Sequence, residues 1–183
     1  MLLDIATYGT SLTWLYRWQP EVARLLGGAG IEARIYNPAI NGGNSAAGLA
    51  NVAQIVRLRP KIALVEFSMN DCCTITLAQA EANTVAIINA LKSVIDSDSI
   101  YLMTMNRPVG MSSSATARSS IASYQAAYRA IAADQAVQLI DIEPLWVSEY
   151  ISGDIPDGLH PTEASSKRIT APTIAARLLS DMA

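Results

Sequence analysis

Short apolar runs alternate along this chain with longer stretches in which apolar residues recur at helical spacing, and polar or glycine-rich segments separate them. Leu2 to Thr7 is a mostly apolar run ending at Tyr8-Gly9, which predicts a buried strand and then a turn. Pro20 opens a helix in which Glu21, Val22, Leu25 and Leu26 keep helical spacing and Gly27-Gly28 marks the stop. Ile31 to Tyr36 alternates as a second strand, and Asn37 to Gly48, rich in Asn, Gly and Ser, reads as a loop. Leu49 to Leu58 is helical and ends before Pro60. Ile62 to Phe67 is the strongest strand, continuous and β-rich, with Ser68 to Cys73 as the loop after it. Leu77 to Ile95 is a long helix and Ser99 to Met103 a fourth strand. Met105 to Ser114 is a loop, Ala115 to Ala133 an Ala-rich helix, and Val137 to Ile140 a fifth strand. A short helical piece at Leu145 to Tyr150 precedes a Gly/Asp/Pro loop, and Thr162 to Leu179 closes as a helix that Pro172 should bend or split.

Strands and helices therefore alternate throughout, which argues for an α/β fold: one parallel sheet with helices on both faces. No repeat, low-complexity tail or linker interrupts the series, so residues 1–183 read as one domain. In such a sheet ligands bind beyond the carboxyl ends of the strands. The loops after strands one, two, three and five are also the ones rich in chemically useful side chains.

Composition narrows the partners. At 51% hydrophobic residues the 183-residue chain can bury a real core, and its formal net charge of -3 gives no basic footprint for nucleic acid. There is no Lys/Arg cluster for an anionic membrane, and no apolar stretch reaches the ~18 residues of a membrane span. Met1 to Tyr8 lacks a basic leader and reads as a strand rather than a signal peptide, leaving a cytoplasmic protein and a trimmed secreted one both open. Cys72 and Cys73 are adjacent, so a bond between them would close a strained ring. No spacing suits zinc or an iron-sulfur cluster, and the two cysteines read as small buried side chains beside a strand end.

The chain has one histidine, His160, in Asp157-Gly158-Leu159-His160-Pro161. An imidazole is the usual side-chain base at neutral pH, so any histidine chemistry here must use it. Asp157, three residues earlier, can hold the ring by its second nitrogen. A candidate for the matching nucleophile is Ser11, in Gly9-Thr10-Ser11-Leu12 after the first strand, since a serine hydroxyl needs such a base to become nucleophilic. An acyl-transfer site also needs donors for the developing oxyanion; the amide of Asn70 and a backbone N–H at Gly42 or Gly43 are suitable. Each residue alone has an ordinary reading: Ser11 as a helix cap, Asn70 as a turn residue, His160 as a surface loop residue.

Gly9-Thr10-Ser11-Leu12, the Asn37 to Asn44 loop, Ser68-Met69-Asn70-Asp71 and Asp157-Gly158-Leu159-His160-Pro161 together resemble the four blocks of the SGNH, or GDSL-type, hydrolases, in the family's order and over nearly the whole chain. The resemblance implies a three-layer α/β/α sandwich with a five-stranded parallel sheet of flavodoxin-like type. It implies Ser11, Asp157 and His160 as the triad, an oxyanion hole of Ser11, Gly42 and Asn70, and no metal or organic cofactor. Two positions depart from the pattern: the residue before the nucleophile is usually Asp and here is Thr10, and the third block usually opens with Gly and here opens with Ser68.

Thr10, Trp14, Gly43 and Met105 are the further candidates for substrate contact. Trp14, Tyr16 and Trp18 follow the nucleophile and either pack the first helix or line the entrance. Met103, Met105 and Met111 flank the loop after strand four and form either an adaptable apolar wall or core. Little chain is left over for a lid. The expected activity is accordingly hydrolysis of a short acyl ester, such as O-acetyl on a carbohydrate. The alternatives are a thioesterase or lysophospholipase, or a non-catalytic module that recognises an acylated glycan.

Overall fold

The computed structural model describes residues 2–183. Five strands, β1 (Leu2–Gly9), β2 (Glu32–Tyr36), β3 (Ile62–Glu66), β4 (Ile100–Thr104) and β5 (Gln138–Asp141), form one sheet in the order β2-β1-β3-β4-β5. Every pairing is parallel, with Ala6 opposite Tyr36 and Ala63, and Leu64 opposite Tyr101. This is the flavodoxin-like strand order, in which the chain reverses direction across the sheet between β1 and β3. Crevices open at that reversal, beyond the carboxyl ends of the two strands.

The helices are α1 (Ser11–Trp14), α2 (Gln19–Gly28), α3 (Ser45–Asn51), α4 (Ala53–Leu58), α5 (Ser68–Thr74), α6 (Leu77–Lys92), α7 (Ser113–Thr116), α8 (Ile121–Asp134), α9 (Glu143–Glu149), α10 (Glu163–Ser165) and α11 (Ala171–Asp181). A π turn over Ser166–Thr170 joins α10 to α11 without a break, and Pro172 follows directly in the first turn of α11. The predicted split at Pro172 is thus a change of helix type just upstream of it.

Side-chain alternation in the central strands builds two cores. Leu3 and Ile5 of β1, Ile62 and Leu64 of β3, and Tyr101 and Met103 of β4 pack with Val22, Leu26, Ile174 and Leu178 of α2 and α11. The residues between them, Ala6, Tyr8, Ala63, Val65, Ile100 and Leu102, pack with Ile55, Ile87, Leu91, Tyr128 and Ile131 of α4, α6 and α8. Because both faces are covered, β3 and β4 read as apolar runs up to their last residues, Glu66 and Thr104.

The structure departs from the sequence reading in three connections. Ser68 to Cys73 is the start of α5, not a loop: its Met69 and Cys72 face the first core, and side chains from a distant segment satisfy its carbonyls. The loop after β2 ends early, because Asn44 caps α3 by accepting the N–H of Ala47, and the helix predicted from Leu49 breaks at Val52 into α3 and α4. The Ala-rich helix is split into α7 and α8 by a turn at residues 117–120. The cysteine pair divides: Cys72 is buried, whereas Cys73 is exposed, and both are free thiols.

Candidate active site

Strand β1 delivers Ser11 to the carboxyl edge of the sheet. Its last residue, Gly9, has no room for a side chain, since a Cβ there would lie 2.3 Å from Glu66 Oε1 and 2.4 Å from Glu66 O. Thr10 then caps α1, its Oγ1 accepting the Leu12 N–H, so Ser11 becomes the first residue of a four-residue helix. Glu66, the last residue of β3, anchors this turn. Its carboxyl accepts from Thr10 N at 2.7 Å, Thr10 Oγ1 at 2.9 Å and Thr13 Oγ1 at 2.7 Å. Complete burial raises the Glu66 carboxyl to about 7, more than the hydrogen bonds from Thr13 and Thr10 lower it.

From the far end of the chain, the loop between α9 and α10 brings Asp157 and His160. Ser11 Oγ lies 2.8 Å from His160 Nε2, and His160 Nδ1 lies 2.7 Å from Asp157 Oδ2. The other Asp157 oxygen accepts the backbone N–H groups of Leu159 at 2.9 Å and His160 at 2.7 Å. Partial burial pushes the Asp157 carboxyl up, but these bonds from His160 and Leu159 outweigh it and hold the group at about 2. The tight turn depends on Gly158, which has φ +79° and whose Cβ would lie 2.6 Å from Val109 O. Asn106 donates to Leu159 O at 3.0 Å, Val109 N–H to Gly158 O at 2.9 Å, and Arg17 to Pro161 O, so the loop is clamped from both sides.

Further donors are tied to the end of β1. A turn at Ile40 to Gly43 is closed by Gly43 N–H on Ile40 O at 2.8 Å, and Ile40 N–H on Gly9 O at 2.8 Å pins it to the end of β1. Its third residue, Gly42, has φ +71°, as such a turn requires. Gly43 N–H is therefore spent within the turn, while the exposed Gly42 N–H meets no acceptor among the described residues. Ser11 N–H, at the first helical position, has no helical acceptor either. Asn70, in the first turn of α5, donates from Nδ2 to Gly43 O at 2.8 Å, which leaves its second amide hydrogen free beside the turn.

Two of the candidates for substrate contact lie elsewhere. Thr10 is completely buried and its side chain is committed to Glu66, so it cannot touch a substrate. Met105 is core, 2% exposed, with its carbonyl accepting from Gln125. Met103 is likewise core, and Met111, at 96% exposure, stands free of the apolar wall suggested for it. Gly43 is buried and enters the site through its carbonyl. Trp14 is 47% exposed and, three residues after Ser11, shares its helix face, whereas Trp18 is buried in the core.

Sequence reasoning did not find the supports. Glu66 sits inside an apolar strand, where its charge was the only signal. Asp71 is a helix tether: its Oδ1 accepts the Ser45 N–H at 2.6 Å at the start of α3, and burial raises it to about 6 against that bond. Asn106 and Arg118 carry no local motif at all.

The fold has known counterparts. The model of the GDSL-like Lipase/Acylhydrolase family matches residues 6–168. Among solved structures, a lipase/acylhydrolase from Enterococcus faecalis superposes with a TM-score of 0.83 at 18% identity, over 96% of this chain and 95% of that one. The acetyl xylan esterase AlAXEase gives 0.80 at 16% identity, over 96% of this chain and 100% of that chain. A catalytic mutant of an acetylxylan esterase from Geobacillus stearothermophilus gives 0.78 at 16% identity, over 98% of this chain and 93% of that one. No curated protein sequence matches the chain. At such identities the superpositions establish the shared fold, and the family match spans most of the sequence: the chain belongs to the GDSL-like lipase/acylhydrolase family.

Proposed function

We propose that this protein is a serine esterase that removes short acyl groups, with O-acetyl on a carbohydrate as the substrate class. The observation that carries the reading is the continuous line from Ser11 Oγ through His160 to Asp157, at 2.8 and 2.7 Å. In the working mechanism His160 Nε2 takes the Ser11 proton as Oγ attacks the ester carbonyl. Asp157, ionised at neutral pH, keeps the other ring proton on Nδ1 and stabilises the imidazolium. The N–H groups of Ser11 and Gly42 and the free amide hydrogen of Asn70 receive the oxyanion. The imidazolium returns its proton to the leaving alcohol, and the same cycle with water frees the acid and Ser11.

Support for a carbohydrate acetate comes from two directions. Trp14 offers an exposed indole face on the same side of α1 as Ser11, a surface suited to a sugar ring. Two of the superposed structures bear the name acetyl xylan esterase.

Hydrolysis of p-nitrophenyl acetate, butyrate and octanoate by wild type, Ser11→Ala and His160→Ala, at equal folded concentration, tests the reading. Wild type should prefer acetate, and each variant should lose turnover by roughly 10⁴-fold or more. Preference for octanoate would redirect the substrate to lipid or thioester, and wild-type turnover no higher than that of Ser11→Ala would defeat the esterase reading.

A further inference from the structure

We propose that Arg118 is a positioning residue for the oxyanion hole: it fixes which way the Asn70 carboxamide faces and polarises its N–H. The inference rests on the esterase reading above. An Asn side chain has nearly the same shape when its oxygen and nitrogen are exchanged, so its neighbours decide the orientation. On one side of Asn70 stands a pure acceptor, Gly43 O, 2.8 Å from Nδ2. On the other stands a pure donor, the Arg118 guanidinium, with one terminal nitrogen 2.8 Å from Asn70 Oδ1. Flipping the amide would set oxygen against oxygen and N–H against N–H, so the two neighbours act together.

The guanidinium is itself held in place. Its Nε donates to Met69 O at 2.9 Å and its other terminal nitrogen to Ser114 O at 2.9 Å. The planar fork thus spans the Met69 carbonyl and the Asn70 side chain, two acceptors on consecutive residues that an ammonium group cannot bridge in the same way. Among the described residues Arg118 makes no ion pair with a carboxylate, unlike Arg129 and Arg168. Its charge falls on the amide oxygen. Drawing electron density toward Oδ1 makes the opposite N–H a stronger donor, and the benefit grows as negative charge develops on the substrate oxygen. The interaction therefore favours the transition state over the bound ester, so its loss should appear in kcat rather than KM.

The test is a double-mutant cycle on the full chain with p-nitrophenyl acetate. Arg118→Met should lower kcat by about 10- to 100-fold with KM nearly unchanged, short of the ~10²- to 10³-fold cost of losing an oxyanion donor outright. Arg118→Lys should recover only part of that loss. With Asn70→Ala in the background, Arg118→Met should add less than about twofold, because the group it acts through is gone. Equal effects of Arg118→Met with and without Asn70, or an unchanged kcat, would overturn the proposal. A readout independent of turnover keeps the two readings separable: the Asn70 side-chain amide resonances in ¹⁵N–¹H spectra of wild type and Arg118→Lys. Displacement or doubling of that pair supports the orienting role even if no ester is cleaved, and an unmoved pair sinks it even if the enzyme is active.

Discussion

Thr10 stands where the pattern this chain resembles would have Asp, and the structure gives the threonine a physical reason. The space beside residue 10 is occupied by the Glu66 carboxyl, which needs donors, and Thr10 provides both its N–H and its hydroxyl. A second carboxylate there would face Glu66 in a fully buried site. Thr10→Asp should therefore lower the urea midpoint sharply at pH 8 and much less at pH 5, where a shared proton relieves the repulsion; equal losses at both would refute this account. At this scale the sequence was partly legible. Ser11, Asp157 and His160 stood out because catalysis needs uncommon residue types in short motifs, and there is only one histidine. Glu66 and Arg118 did not, because their meaning comes from partners 56 and 48 positions away.

Between elements, α3 packs tightly on Phe67, the residue that joins β3 to α5. A Cβ on Gly48 would lie 2.6 Å from Phe67 Cζ, and the Phe67 ring is in turn fixed edge-on against Tyr8 with centroids 5.1 Å apart. Alanine raises helix propensity by roughly 1 kcal/mol, yet overpacking a rigid aromatic contact costs about 1–3 kcal/mol. Gly48→Ala should thus destabilise, and a urea midpoint equal to or above wild type would contradict that. The strands were readable because burial on both faces leaves apolar runs such as Ile62 to Val65. Helix α5 was not, since Ser, Asn and Asp favour turns locally and the helix is held by donors outside it: Arg118 on Met69 O, Ser120 on Cys72 O, and Tyr124 on Ile75 O.

For the whole molecule, titration pulls stability in two directions. Asp157 at about 2 stabilises the fold above the unfolded value of 3.8, and that stability is lost as pH falls through 2. Glu66 at about 7 and Asp71 at about 6 do the reverse: each holds its proton in the folded state after the unfolded chain has released it, so stability falls as pH rises from about 4 to 7. For fully buried Glu66 this is on the order of a few kcal/mol. Thermal midpoints should accordingly peak near pH 4 and decline toward pH 8. Glu66→Gln, which retains an acceptor for Thr10 and Thr13, should flatten that decline whatever its absolute midpoint; an unchanged slope would remove Glu66 as its source.

The distance along the chain between Ser11 and His160, 149 positions, also has a meaning in time. A ribosome adding ~5–20 residues per second needs on the order of 10 s to pass from one to the other. Throughout that interval the serine already exists without the histidine. Under the proposed mechanism the growing chain carries a dormant hydroxyl, and reactivity toward an organophosphonate should arise only when the C-terminal loop docks. Labelling of Ser11 by such a probe would serve as a clock for the final closure of the molecule, one that secondary-structure signals would precede.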